Sequence, residues 1–240
     1  MDARNVPVDY SYRWIFCSIE IAKQFYSLFL GCGLLMFVTV ICIGFVPFIG
    51  HFVAAIMSIL YGVGTLRLVR QVVTTERGTF DDFLKFTFDA SHLHKYVPLF
   101  IAVCILNFIS AILTFAHIHF LSLPMLALSN IVVLICVHAA YMMDLQPSLS
   151  WREATERAAS GTWMNIVTLI IAVIFLSIFG VLSALMCGVG LFLYFLPMTM
   201  PINFLIFTSI YENRDVEATI KEWSSKSNEV KTVPAPTDEP

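Results

Sequence analysis

The chain has 240 residues, 58% hydrophobic and only 13% charged, and its mean hydropathy of +0.82 lies far above that of a soluble domain. Its formal net charge of -3 is a poor guide to partners, because the sign of charge is sorted along the chain. There is no basic stripe and the aromatic residues sit in apolar runs, which excludes nucleic-acid binding and specifies an integral membrane protein.

Residues 1–11 are polar and are expected to be a flexible N-terminus. No basic segment leads at once into a short apolar core and cleavage site, so the N-terminus reads as retained. Ser11 offers a cap for an amphipathic helix with Ile15, Ile19, Ala22 and Tyr26 on one face and Arg13, Glu20 and Gln24 on another. An apolar run over about 25–46 follows, long enough to cross roughly 30 Å of hydrocarbon. Val46-Pro47-Phe48-Ile49-Gly50 makes a tight reversal into a second span over 51–68, and Arg67 and Arg70 mark its exit from lipid.

The pattern then restarts. Thr79 with Asp82 three residues later is a capping box, and Asp81, Asp82, Lys85 and Asp89 lie opposite Phe80, Phe83, Leu84 and Phe88. A third span over 96–116, a turn from His117 to Pro124 and a fourth span over 125–143 complete the second unit. Ser150 and Glu153 form the next capping box, on a helix that sets Trp151, Ala154, Ala158 and Thr162 against Arg152, Glu153, Glu156 and Arg157. Spans over 164–185 and 190–211 follow, joined at Met186-Cys187-Gly188. The stretch 212–240 is polar with a proline-rich end and is expected to be a cytoplasmic, largely disordered tail.

The predicted fold class is therefore all-α: a polytopic membrane protein with six transmembrane helices in three hairpins, each preceded by a cytoplasmic amphipathic helix. Spans one, three and five begin near 25, 96 and 164, a period of roughly 70 residues that fits either an internal repeat or three independently inserted hairpins. Every Lys and Arg lies in the N-terminal segment, the 67–95 connection, the 144–163 connection or the tail, and the three short turns carry none. The positive-inside rule then puts both termini and all three short helices in the cytoplasm, and a shift of one span would break that sorting.

Little chemistry is written into the spans. No ionisable side chain falls at mid-depth except His138, for which a hydrogen-bonded packing role outweighs a proton relay. Asn107, Ser110, Asn130, Asn165 and Asn203 suit interhelical hydrogen bonds worth about 0.6–2 kcal/mol each. His51, His117, His119 and Cys187 gather at the outer ends of spans and include borderline and soft metal ligands, but the plainer reading is histidines at headgroup level. The six cysteines have no CxxC spacing and read as small hydrophobes. In the sixth span Pro197 and Pro201 free carbonyls four residues upstream and bend the helix, a feature some transporters use for binding, though packing shape is the commoner role. No metal-protease, hydrolase-elbow or phosphate-loop motif occurs, and no carboxylate pair lies in a span.

Three segments carry a family resemblance: Val46-Pro47-Phe48-Ile49-Gly50; Gly78-Thr79-Phe80-Asp81-Asp82-Phe83; and Ser150-Trp151-Arg152-Glu153-Ala154 with Ser160, Trp163 and Asn165. Over about 12–213 the chain resembles uncharacterised bacterial inner-membrane proteins with six spans. It is distantly similar to the membrane domain attached to some glycerophosphodiester phosphodiesterases. The resemblance implies a six-span domain and no catalytic residues, and without a phosphodiesterase domain that activity is not implied. The expectation is a non-enzymatic, multi-pass protein of the bacterial inner membrane that binds lipids or a membrane-protein partner, including a second copy of itself, and uses no cofactor. Arg13, Lys85, Arg152 and Arg157 are the expected headgroup contacts. The alternative is a small-solute transporter or channel subunit with a pathway at His138, Pro197, Pro201 and Asn203.

Overall fold

A computed structural model of the chain describes residues 3–46, 49–89, 93–116, 119–185, 190, 195–216 and 218. Among these the fold is wholly helical: α1 Tyr10–Gln24, α2 Tyr26–Gly44, α3 Ile49–Thr75, α4 Phe80–Thr87, α5 Leu93–Phe115, α6 His119–Leu145, α7 Trp151–Met164, α8 Ile166–Leu185 and α9 Leu196–Tyr211. Five are long and apolar enough to cross a membrane, over Tyr26–Ile43, Phe52–Thr75, Leu93–Leu113, Leu128–Leu145 and Ile166–Ser183. Of the expected sixth span, the described residues include Gly190 and the 16-residue α9, since 191–194 lie outside them. The expected turns at 47–48, 117–118 and 186–189 also lie outside the described residues.

Burial sorts the helices into two kinds. In the apolar windows of α2, α5 and α8 only 17%, 22% and 22% of residues are buried, against 56% in α3 and 50% in α6. In α9 nearly every side chain from Pro197 to Tyr211 is buried. Thus α3, α6 and α9 form the centre, and α2, α5 and α8 turn rows of Val, Ile, Leu and Phe outward, as helices facing hydrocarbon do. Close approach at the centre depends on Gly62, where an added Cβ would lie 2.6 Å from Cγ2 of Val137 on α6.

The three short helices pack in a cyclic pattern. Helix α4 lies against α2 and α3, α7 against α5 and α6, and α1 against α8 and α9, so each short helix covers the pair before it in the ring. The chain also turns from short helix to span in one way. Phe25, Phe88 and Asn165, the residues that end α1, α4 and α7, have φ/ψ of -115/35, -106/21 and -111/16, all near the sparsely allowed bridge region.

Both expected capping boxes are present: Thr79 Oγ1 accepts from the Asp82 amide at 3.2 Å, and Ser150 Oγ accepts from the Glu153 amide at 3.3 Å. The expected cap at Ser11 is not. Asp9 occupies the N-cap without a side-chain bond because its carboxylate pairs with Arg13 at 2.8 Å, and Ser11 is buried inside α1. Helix α3 runs on to Thr75, past the expected end near 68, because Leu68, Val69 and Val72 continue its buried face. Pro124, expected in a turn, lies inside α6. Residues 3–9, which composition leaves as a loose leader, dock on the ends of α8 and α9: the Val6 amide donates to Asn165 Oδ1 at 2.7 Å and the Arg4 amide to the Ile210 carbonyl at 2.9 Å.

Candidate functional site

The polar groups of the fold converge where α3, α6 and α9 reach their basic ends. Arg67 and Arg70 lie one turn apart on α3 and so face one side. The Arg67 guanidinium donates to Asp144 Oδ2 from Nε at 2.8 Å and lies 2.7 Å from it at Nη2. Nη1 donates to the Phe86 carbonyl and to Asp89 Oδ2, both at 3.2 Å. The Tyr96 hydroxyl donates to the other Asp144 oxygen. One guanidinium thereby ties α3 to α4, to the chain entering α5, and to α6.

Arg70 makes the second knot. Its Nη1 lies 2.6 Å from Glu212 Oε1 and 3.3 Å from the Tyr141 hydroxyl. Glu212 is also paired to Arg214 at 3.3 Å. Arg4 donates to the Ser209 carbonyl, Asn213 Oδ1 and the Arg214 carbonyl, so the N-terminal segment closes the end of α9. Between these knots lies an open cleft of about 540 Å³, lined by Arg67, Arg70, Gln71, Thr74, Thr75, Phe86, Asp89, Tyr141, Asp144 and Leu145.

A second polar site sits in the middle of the core. His138 on α6 is buried, its Nε2 is 3.2 Å from Asn203 Oδ1 on α9, and its ring meets Phe207 and Tyr211 edge-on at 5.4 Å each. Nδ1 has no hydrogen-bond partner among the described residues. Pro197 and Pro201 both lie in α9. Two of the four expected pathway residues are therefore in contact, and all four are on α6 and α9.

The other deep polar residues do less than their chemistry suggested. Asn107 bonds to the Val103 carbonyl of its own helix and Asn130 is exposed. Asn165 is the exception, donating to the Arg4 and Gly161 carbonyls while accepting from Val6. Of the expected outer histidines and cysteine, His117 and Cys187 lie outside the described residues, and so do the side chains of His51 and His119.

The expected headgroup residues are spread over the three short helices. Arg13 pairs with Asp9 and Arg152 with Glu156, both along their own helices, Lys85 is exposed on α4, and Arg157 is half-buried on α7. The carboxyls of both capping boxes are held below their ordinary range, Asp82 by the Thr79 hydroxyl and then its amide, Glu153 by the Ser150 hydroxyl and then its amide.

The Arg67 and Arg70 knots are not readable from the sequence, which placed Arg67 only as a residue leaving the lipid and Asp144 only as the end of a span. The available signal was that Asp144 and Glu212 are acids directly terminating apolar runs while Arg67 and Arg70 do the same for α3. The apolar helices and their central polar knots define an all-helical, multi-pass membrane protein. Comparison with protein-family models, with curated proteins and with solved structures finds no match.

Proposed function

We propose that the chain is a non-enzymatic protein of the bacterial inner membrane, with six spans in three hairpins and both termini cytoplasmic, that acts by binding lipid or a membrane partner through a collar of its three short helices. Membership of the six-span family described above is part of this proposal. The observation that carries it is that each short helix bears exposed aromatic side chains together with a basic residue. Tyr12 and Phe16 accompany Arg13 on α1, Phe80 and, at the helix end, Phe88 accompany Lys85 of α4, and Trp151 and Trp163 accompany Arg152 on α7, all six aromatics being exposed. Aromatics beside cations are what a helix seated at the headgroup level presents. Each basic residue there adds about 1 kcal/mol of attraction to an anionic leaflet, and less for Arg13 and Arg152, which already have intrahelical partners.

The test is the lipid that travels with the purified protein. The collar predicts co-purified anionic phospholipid, and a lower midpoint of thermal unfolding in anionic lipid discs once Arg13, Lys85, Arg152 and Arg157 are all reversed to Glu. No retained lipid together with an unchanged midpoint ends the proposal. The contact between His138 and Asn203 supports a second reading, a small-solute transporter or channel subunit. It requires that Asn203→Leu or Pro201→Ala abolish solute uptake while leaving folded protein, and equal uptake by the variants and the parent removes it.

A further inference from the structure

We propose that an apolar groove between α1, α8 and α9 seats one acyl chain of a membrane phospholipid, with the phosphate of that lipid at Lys23. Helices α8 and α9 are consecutive in the chain, yet they scarcely touch along their described lengths, and α1 instead packs against both of them. They do approach at one end, where a Cβ added to Gly180 would lie 3.3 Å from Cε2 of Phe195. Beside that contact is a gap of about 130 Å³, walled by Ile19 and Ala22 of α1, Tyr26 of α2, Phe179 of α8, and Pro197 and Met198 of α9.

The wall and its surroundings decide the occupant. Apart from the Tyr26 hydroxyl and the Lys23 ammonium, the described side chains that line the gap are hydrocarbon or thioether, so a water inside would lack the polar partners it needs. Left empty, the gap would forfeit dispersion contacts on each of those side chains. A single water needs about 10–15 Å³ of such space, so there is room for a run of several methylene groups. The groove is also continuous with the hydrocarbon-facing side of α8, since Phe179 is flanked there by Phe175, Ile178 and Leu182 at 46, 52 and 56% exposure. A lipid chain drawn from that side fills the gap without leaving an apolar medium.

Lys23 makes the occupant a phospholipid. It lines the same groove, three residues before Tyr26, where the membrane-crossing window of α2 begins. Its side chain is 64% exposed and donates one of the three ammonium N–H groups to Glu20 at 2.8 Å. That pair is solvent-exposed and local to one helix, a kind that contributes little, so a phosphate oxygen shares or displaces it at small cost. Long basic side chains lay their stems along apolar surface and keep the charge among polar groups. The cation therefore stands where a lipid with its chain in the groove carries its phosphate. The groove shares no residue with the collar, and it rests on the chain being a membrane protein, not on the collar reading.

The experiment uses the full chain in phosphatidylethanolamine vesicles containing a small fraction of phosphatidylglycerol with a diazirine in mid-chain, irradiated and mapped by peptide mass spectrometry. Met198 is 1% exposed and Ala22 6%, so a chain reaches them only by entering the groove. The site predicts lipid adducts on Met198 and on the segment from Ile19 to Tyr26. Ala22→Leu, which narrows the groove, lowers the Met198 yield about tenfold, while adducts on the outward residues Ile174 and Ile178 stay level. Lys23→Gln lowers the Met198 yield about fivefold, the worth of one basic residue at a headgroup. Should Ala22→Leu fail to fold, Ile19→Trp, at a partly buried position on α1, is expected to narrow the same groove with the same result. No adduct on Met198, or a Met198 yield unchanged by the narrowing variant, overturns the proposal, and a yield unchanged in Lys23→Gln overturns the phospholipid as occupant. Moving the diazirine to a phosphatidylcholine chain, or reversing Arg13, Lys85, Arg152 and Arg157 to Glu, leaves the Met198 yield level. The collar is judged on anionic lipid and on those four residues, so the two readings fail separately.

Discussion

Replacing Arg67 by Met tests whether the basic-end knot holds the centre of the fold together. The pair it breaks is largely withdrawn from water, with Arg67 at 14% and Asp144 at 8% side-chain exposure. Two short contacts, 2.7 and 2.8 Å, are lost, and the Asp144 carboxylate loses its guanidinium partner while keeping the Tyr96 hydroxyl. Removing one partner of a buried pair costs about 3–5 kcal/mol, most of it the stranded charge. Asp144→Asn is expected to cost less, about 2–3 kcal/mol, since the amide oxygen still accepts from Arg67 and Asp89 still neutralises it. In the double variant no charge is stranded at this pair, so the two losses should fall short of additivity by about 2–3 kcal/mol, against about 0–1 kcal/mol for a solvent-exposed pair. Reversible unfolding in mixed detergent micelles, followed by tryptophan fluorescence, gives all four corners of the cycle. A coupling under about 0.5 kcal/mol would mean that water in the cleft screens the pair, and the account of a central electrostatic tie would be wrong.

Asn165→Ala removes three hydrogen bonds, two of which seat residues 3–9, and should cost about 1–3 kcal/mol while making the N-terminal segment sensitive to protease. Gly62→Ala drives a methyl into Val137 and is expected to cost about 1–3 kcal/mol by overpacking the α3–α6 contact, read as a lower unfolding midpoint that Val137→Ala partly restores. The depressed carboxyls of Asp82 and Glu153 stabilise the folded state above their ordinary range and lose that contribution as pH falls through their folded values. Amide protection at the starts of α4 and α7 should therefore be level between about pH 5 and 8 and fall below about pH 4. Thr79→Ala and Ser150→Ala should flatten that acid limb.

What could be read in advance depended on the range of the interaction. The capping boxes at Thr79 and Ser150 involve residues three apart, so the local sequence is sufficient to specify them. The apolar runs are local too, and five of them are helices of membrane-crossing length. The Ser11 cap failed although it is local, because Asp9 found a better partner in Arg13 and Ser11 turned inward. Arg67 with Asp144, separated by 77 residues, and Arg70 with Glu212, separated by 142, depend on how the helices close on one another, which no periodicity encodes. Asn165 carried a usable hint, a polar residue at a helix corner flanked by Trp163 and an apolar run, but its partners at Arg4 and Val6 belong to a segment whose composition looked loose.

The cyclic packing gives these long-range knots a common logic. Each short helix covers the pair before it, and closing the ring requires α1, first in the chain, to lie against α8 and α9, the last helices described. That closure has to be secured by contacts between distant parts of the chain, and the polar groups are found there: Trp14 Nε1 on Ser209 at 3.1 Å, Arg4 on the end of α9, and Asn165 on Arg4 and Val6. The other two junctions join neighbours in the chain, since α4 follows α3 and α7 follows α6 directly; a capping box starts each short helix, and at α4 the Arg67 bonds to Phe86 and Asp89 add to the packing. The charged ties brace the centre: Arg67 holds α3 to α4 and α6, and Arg70 holds it to the end of α9.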